Sequence, residues 1–174
     1  MRLRQVTTED IKVLELWASS PVYFGEFNDF GLPRTIPMVE AIAATGLIGD
    51  DRGALLVERV ENGELVGQVS WHQVRYGPNA ESAAWNIGIS LIPQHRGRGY
   101  GGEAQRLLAE YLFERTPLNR VEASTDVENH AEQRALEKGG FQREGILRGA
   151  QYRAGAWRDL VSYSLLRGSV MDDT

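Results

Sequence analysis

Residues 93 to 104 read PQHRGRGYGGEA, and five of these twelve are glycine or proline. Glycines at 97, 99, 101 and 102 carry no side chain, so successive backbone N–H groups there can converge on one anion. Arg96 and Arg98, threaded between them, offer forked, permanently charged donors that suit a phosphate. A helix patterned to begin at once afterwards adds the positive end of its dipole. The chemistry open to these residue types at this spacing is phosphate binding. A linker would join separate compositions, whereas here a strand pattern enters the run and a helix pattern leaves it. An RNA-binding arginine-glycine segment would be longer, repeated and outside a folded element. A Walker A loop needs G-x-x-x-x-G-K-[ST], and the chain's lysines are Lys12 and Lys138.

The elements that must hold such a loop are legible in periodicity. Ser82–Ile92 alternates, with Trp85, Ile87, Ile89 and Leu91 on one face and Asn86, Gly88 and Ser90 on the other, which predicts a strand running straight into the loop. Ala104, Leu107, Leu108, Tyr111 and Leu112 recur at helical spacing and predict an amphipathic helix that ends near Arg115, before Pro117. Arg120–Thr125 reads as the next strand, so the three make a crossover expected to be right-handed with parallel strands. Upstream, Arg2–Val6 reads as a short strand, and Thr7 with Asp10 opens a helix carrying Ile11, Leu14 and Trp17. Ser19–Arg34 reads as an aromatic-rich loop or broken helix, and Thr35–Thr45 as a second helix. Ala54–Val60 and Glu64–Val74 flank Asn62-Gly63, a strong hairpin signal. Downstream, Ala131–Lys138 reads as a helix stopped by Gly139-Gly140, and Phe141–Arg148 with Trp157–Leu166 as a closing antiparallel pair. The expectation is one α/β domain over residues 1–174, with its core in 2–167 and a tail at 168–174.

Composition excludes several function classes. Hydrophobic residues at 42% and charged residues at 25% are ordinary for a globular protein. A net charge of −5 argues against a nucleic-acid partner. Without cysteine there is no disulfide, thiolate nucleophile or cysteine metal site, and His72, His95 and His130 lack ligand spacing, so no metal is expected. No apolar run approaches membrane length and the start lacks the apolar stretch of a signal peptide, so a cytoplasmic protein is expected. One further phosphate motif remains: Gly99-x-Gly101-x-x-Ala104 matches the dinucleotide fingerprint, with Asp126 ending the next strand. Two features count against it. Six residues separate the strand from that first glycine, and the preceding strands form an antiparallel meander rather than βαβ units.

Gln94-x-x-Gly97-x-Gly99, between a strand and an amphipathic helix, resembles the [QR]-x-x-G-x-[GA] loop of the GNAT N-acetyltransferase superfamily. The order of "NIGISLIPQHRGRGYGGEAQRLLAEYLF", "NRVEASTDVENHAEQRALEKGGFQREGILR" and "GAWRDLVSYSLL" is similar to its ribosomal-protein (RimJ/RimL-type) branch over roughly residues 54 to 167. The resemblance implies an acyl-CoA N-acyltransferase fold. Its sheet would be mixed and mostly antiparallel, with helices on both faces and a splayed parallel pair that takes the pantetheine arm of acetyl-CoA. By that mapping the backbone of Arg96, Gly97, Arg98, Gly99, Tyr100, Gly101 and Gly102 binds pyrophosphate, Leu91 and Ile92 pair with pantetheine amides, and Asn129 contacts the arm.

The reaction so implied is attack of a neutral primary amine on the thioester, with a backbone N–H near Leu91 serving the carbonyl oxygen. The branch's serine proton donor falls at Glu132, its glutamate base at Gln151, and a strand glutamate of many relatives at Asn86. Gln151 cannot accept a proton, so Glu132 or Asp159 would act through water. Each carboxylate has a plainer reading, as a solvated helix residue and as a structural partner of Arg158 or a nearby turn. Tyr23, Phe24, Glu26 and Phe27 border the acceptor groove by the same mapping, where aromatics and acids suit a cationic amine. Trp71 and His72 are further candidates on opposite faces of their strand. The acceptor would be a protein or peptide N-terminus, or a small amine such as an antibiotic, amino sugar or polyamine. A non-catalytic acyl-CoA sensor is the alternative, and a homodimer is left open.

Overall fold

The computed structural model describes residues 1–30 and 44–171. The helix expected from Thr35 falls almost wholly outside them. Seven strands form one sheet: β1 (Arg2–Arg4), β2 (Arg52–Glu58), β3 (Leu65–Arg75), β4 (Ala83–Leu91), β5 (Arg120–Asp126), β6 (Gln142–Arg153) and β7 (Ala156–Leu166), in the order β1-β2-β3-β4-β5-β7-β6. Every pairing is antiparallel except β4 with β5. The helices are α1 (Ile11–Ser19), α2 (Pro21–Phe24), α3 (Tyr100–Arg115), α4 (His130–Lys138) and α5 (Arg167–Met171). This is the expected mixed sheet with one parallel pair, and the crossover through α3 is the expected one. Among the described residues no helix is long and apolar enough to cross a membrane.

Alternation on β2 sends side chains to two cores. Leu55 and Val57 join Val69, Trp71, Trp85 and Ile87 under α3, which seats Ala104, Leu108 and Leu112 there almost without exposure. Leu56, one residue out of phase, joins Leu14, Trp17 and Tyr23 from α1 and α2 on the opposite face. Burying a leucine fully is worth about 1.5–3 kcal/mol, so α3 is pinned chiefly by Leu108 and Leu112. The α1 entry follows the expected cap: Asp10 accepts from the Thr7 backbone N–H at 2.8 Å and its hydroxyl at 3.0 Å, although the first turn, Thr8–Asp10, is 3₁₀.

Two features set up the functional region. The parallel ladder of β4 with β5 has rungs only at Trp85–Val121 and Asn86–Glu122, after which the strands diverge. The strand expected to stop at Arg148 instead runs to Arg153, because the ladder shifts register between Leu147 and Gln151 and Gly149 takes a left-handed φ of +56° there. A glycine that reads as a breaker in sequence is a bulge in the fold.

Candidate active site

Where β4 and β5 part, a cleft of about 490 Å³ opens between the end of β4, the start of α3, one face of α4 and the loop after α2. Beyond Asn86, β4 has no strand neighbour on the β5 side among the described residues, which leaves backbone groups along Ile87–Leu91 open to a ligand apart from the Ser90 and Leu91 carbonyls, which accept from Tyr23 and Arg96. Gly97 (φ +73°) and Gly99 (φ +86°) are left-handed, and a Cβ built on either would meet nothing within 4 Å. Both line the cleft, so the space over them is open to it. Gly99 caps α3, so the first N–H groups of that sixteen-residue helix start at this loop.

The other two glycines have a different duty. A Cβ on Gly102 would lie 2.8 Å from the Ala135 carbonyl oxygen, and one on Gly101 3.4 Å from the Ala135 Cβ. They let α3 and α4 approach closely, although both also line the cleft. Arg96 lines the cleft, and its side chain has protein partners as well. Its guanidinium donates to the carbonyls of Leu91 (3.0 Å), Val22 (3.0 Å) and Tyr23, which clamps α2 against the end of β4. Arg98 is exposed. Arg134 and Lys138 line the cleft from α4 beside Ala131 and Ala135. The sequence reading missed these cations, though the spacing 131, 134, 135, 138 marks one helix face.

Leu91 lies on the cleft wall, while Ile92 donates its N–H to Val66 at 2.9 Å and is thereby held against β3. Asn129 lines the cleft, but its side chain caps α4: Oδ1 accepts from the Glu132 N–H at 3.3 Å and Nδ2 donates to Thr125 at 3.0 Å. Glu132, in the first turn of α4, lines the same cleft and is partly buried. Burial pushes its carboxyl up to about 7, opposed by a hydrogen bond from Gln105. A carboxyl poised there can exchange protons at neutral pH.

The remaining candidates separate. Tyr23, Glu26 and Phe27 line the cleft. Tyr23 is also a core residue, stacked on Trp17 at 5.0 Å, with its hydroxyl donating to Ser90 at 3.3 Å. Phe24 ends α2, beside them in sequence. Trp71 does not reach the cleft; it is buried against Tyr111 in the α3 core, a packing residue. His72 is exposed on the other sheet face, paired with Asn86 across the ladder. Asn86 itself lies at the last rung, outside the cleft, and donates to Glu122 at 3.4 Å. Gln151 accepts from Arg153 at 2.8 Å and lies off the cleft wall. Asp159 does not line the cleft, and its carboxylate accepts the Gly149 N–H at 2.7 Å and holds the β6 bulge, which matches its plainer reading as the partner of a nearby turn.

The residues present fit acetyl-CoA. Gly97 and Gly99 with the α3 start leave room and backbone N–H groups for a diphosphate, Arg134 and Lys138 bring positive charge to the cleft wall, and the β4 edge would offer hydrogen bonds to an amide-bearing arm. Comparisons with known proteins agree. Residues 1–142 match the family described as acetyltransferase (GNAT) domain. The uncharacterized N-acetyltransferase YoaA of Bacillus subtilis (strain 168) is 30% identical over 169 residues, covering 95% of this chain and 92% of its own. YdaF of the same organism, provisionally named a ribosomal N-acetyltransferase, is 35% identical over 107 residues, 61% of this chain and 56% of its own. In fold, the chain is similar to the spermidine N-acetyltransferase of Vibrio cholerae in complex with CoA and spermine, with a TM-score of 0.75 at 19% identity over 97% of this chain and 96% of that one. This chain belongs to the GNAT acetyltransferase family and is an acetyl-CoA-dependent N-acetyltransferase.

Proposed function

We propose that the protein acetylates a primary amine of modest basicity, foremost the α-amine of a peptide or protein, by direct attack on the thioester, and that Glu132 takes the proton. The observation that carries this is the Glu132 carboxyl in the cleft wall, pushed by burial to about 7. Moving a proton from a lysine-like amine (about 10.4) to such a group costs roughly 4–5 kcal/mol, whereas an α-amine (about 7.7–8.0) costs about 1. Gln151 stands where relatives of the resembled branch carry a glutamate, and a glutamine relieves none of the larger cost. The similarity to YdaF, named for a ribosomal acceptor, supports a protein acceptor.

Bound in the cleft, acetyl-CoA supplies an activated acyl carbon. The chain's own groups then divide the work. Backbone N–H groups near Leu91 on the unpaired β4 edge stabilise the carbonyl oxygen as it gains charge. Glu132 removes the proton as the amine nitrogen bonds to carbon, and returns it to sulfur as the carbon–sulfur bond breaks. Glu26 and Phe27 face the entering amine from the loop after α2.

A polyamine, the kind of ligand in the V. cholerae complex, is served less well. Among the described residues lining the cleft the carboxylates are Glu26 and Glu132. The test is release of free thiol over a panel of α-amines, amino sugars and polyamines, with Glu132→Gln beside the parent. Turnover on α-amines should fall by about 10²–10⁴-fold in the variant while acetyl-CoA affinity holds. Full turnover by Glu132→Gln on a good acceptor would return Glu132 to a solvated helix position.

A further inference from the structure

A second cavity, about 520 Å³, lies where β4 and β5 are still paired. Its floor carries Asn86, Glu122, Ser124 and Ser162, which alternate with the residues that β4, β5 and β7 send into the α3 core, so it opens on the opposite face of the sheet. Ile146 and Leu147 of β6, about half exposed, form an apolar wall. Asn86 is three residues from Ile89 of the catalytic cleft, on the order of 10 Å along the strand.

Among the described residues that line this trough the charge does not balance. Arg120 donates from Nε to Glu122 at 2.8 Å and from Nη1 to Glu144 at 2.7 Å, one guanidinium for two carboxylates. The arginine and the Ser164 hydroxyl hold the Glu144 carboxyl down to about 2, against its partial burial, so it is anionic at neutral pH. Glu122 is buried, 8% exposed, and one of its oxygens receives the Tyr76 hydroxyl at 2.6 Å and Arg120. Among the described residues its other oxygen has only the 3.4 Å approach of Asn86. A carboxylate oxygen with spare capacity, in a concavity with net negative charge and an apolar wall, suits an organic cation on an apolar stem.

We propose that this trough is an acceptor subsite, taking a second cationic group carried about 10 Å from the amine that is acetylated. The inference rests on amine acetylation in the neighbouring cleft, whose acceptor it narrows. Three extended residues span that distance, so a peptide with a basic third residue reaches from cleft to trough. A diamine of the same length offers the same chemistry.

Equilibrium binding to the CoA-loaded protein tests this without turnover. A tripeptide amide ending in arginine should bind about 5–10-fold more tightly than one ending in alanine, and the margin should shrink in high salt. Glu122→Gln and Glu144→Gln should each erase most of that margin. CoA binding by each variant reports an intact fold, and the exposed Glu144 site covers the case in which Glu122→Gln misfolds. An α,ω-diamine about 10 Å long, set against the monoamine of equal length, separates the two sources: a larger margin there would name a diamine as the acceptor. Equal binding of both members in both pairs overturns the subsite. So does a margin that survives both substitutions. Failure of every one of these amines to be acetylated, with the binding margin retained, would instead sink the role given to Glu132 and leave the trough standing.

Discussion

Glu132 shows what a proton-handling group costs the fold. Its carboxyl sits near 7 rather than the ordinary 4.5 because burial disfavours the charged form. Between those values the folded protein holds a proton that the unfolded chain has released, so stability falls as pH rises across the window. The loss is on the order of 3 kcal/mol, at 1.36 kcal/mol per pK unit. Glu132→Gln should therefore match the parent's stability near pH 4.5 and exceed it by about 1–3 kcal/mol at pH 8, by denaturant unfolding without ligand. Equal stability at pH 8 would mean that the carboxyl is not desolvated. Glu132 could be picked out in the sequence because a family pattern pointed at its position. In the fold the Arg96 guanidinium also serves as a clamp, the Asp159 carboxylate holds a bulge and Trp71 packs in the core. Their partners are backbone groups or rings distant in sequence: Val22 and Tyr23, Gly149, and Tyr111. Residue type alone carries no trace of such partners.

At the scale of elements, the glycine loop and the start of α3 combine two designs that one motif conceals. Gly99 has open space and a left-handed φ, whereas Gly102 has ordinary φ and no space. Gly99→Ala should strain the backbone by about 1–2 kcal/mol and weaken acetyl-CoA binding at least tenfold as the loop relaxes away from its cradle. Gly102→Ala should press α4 from α3 and cost about 1–3 kcal/mol of stability, as overpacked contacts do, with binding lost only as far as the fold is. Calorimetric binding beside thermal unfolding separates the two; the reverse pattern would refute the division. The strand, loop and helix here were legible because strong periodicity brackets the glycines. The length of β6 was not, since whether Gly149 ends a strand or bulges within it depends on Asp159 across the hairpin.

For the molecule as a whole, the β2–β4 meander, the crossover to a parallel β5 and the closing β6–β7 pair were legible in hairpin and helix signals, whereas the placing of β7 between β5 and β6 was not. The acceptor side followed less well, because its walls are assembled from segments far apart in the chain. Arg153, which no local pattern singles out, ties Asp126 of β5, Gln151 of β6 and the Phe27 carbonyl together from a buried position. The two-rung parallel ladder has a consequence beyond catalysis. It makes the sheet two leaves, β1–β4 and β5–β7, joined at Trp85–Asn86 and by the packing of α3, with a seam running outward from that joint. On Ile87–Leu91 and Ala123–Thr125 the alternate amide protons that point into the seam, away from β3 and β7, have no ladder partner among the described residues. They should exchange with deuterated solvent early in the free protein and slow by tenfold or more when coenzyme A is added, while Leu55–Val57 barely change. Exchange along the seam that ignores coenzyme A would mean the arm does not lie there. With slowing confined to the seam, the coenzyme acts as a rivet, and a chain deprived of it comes open along that line first.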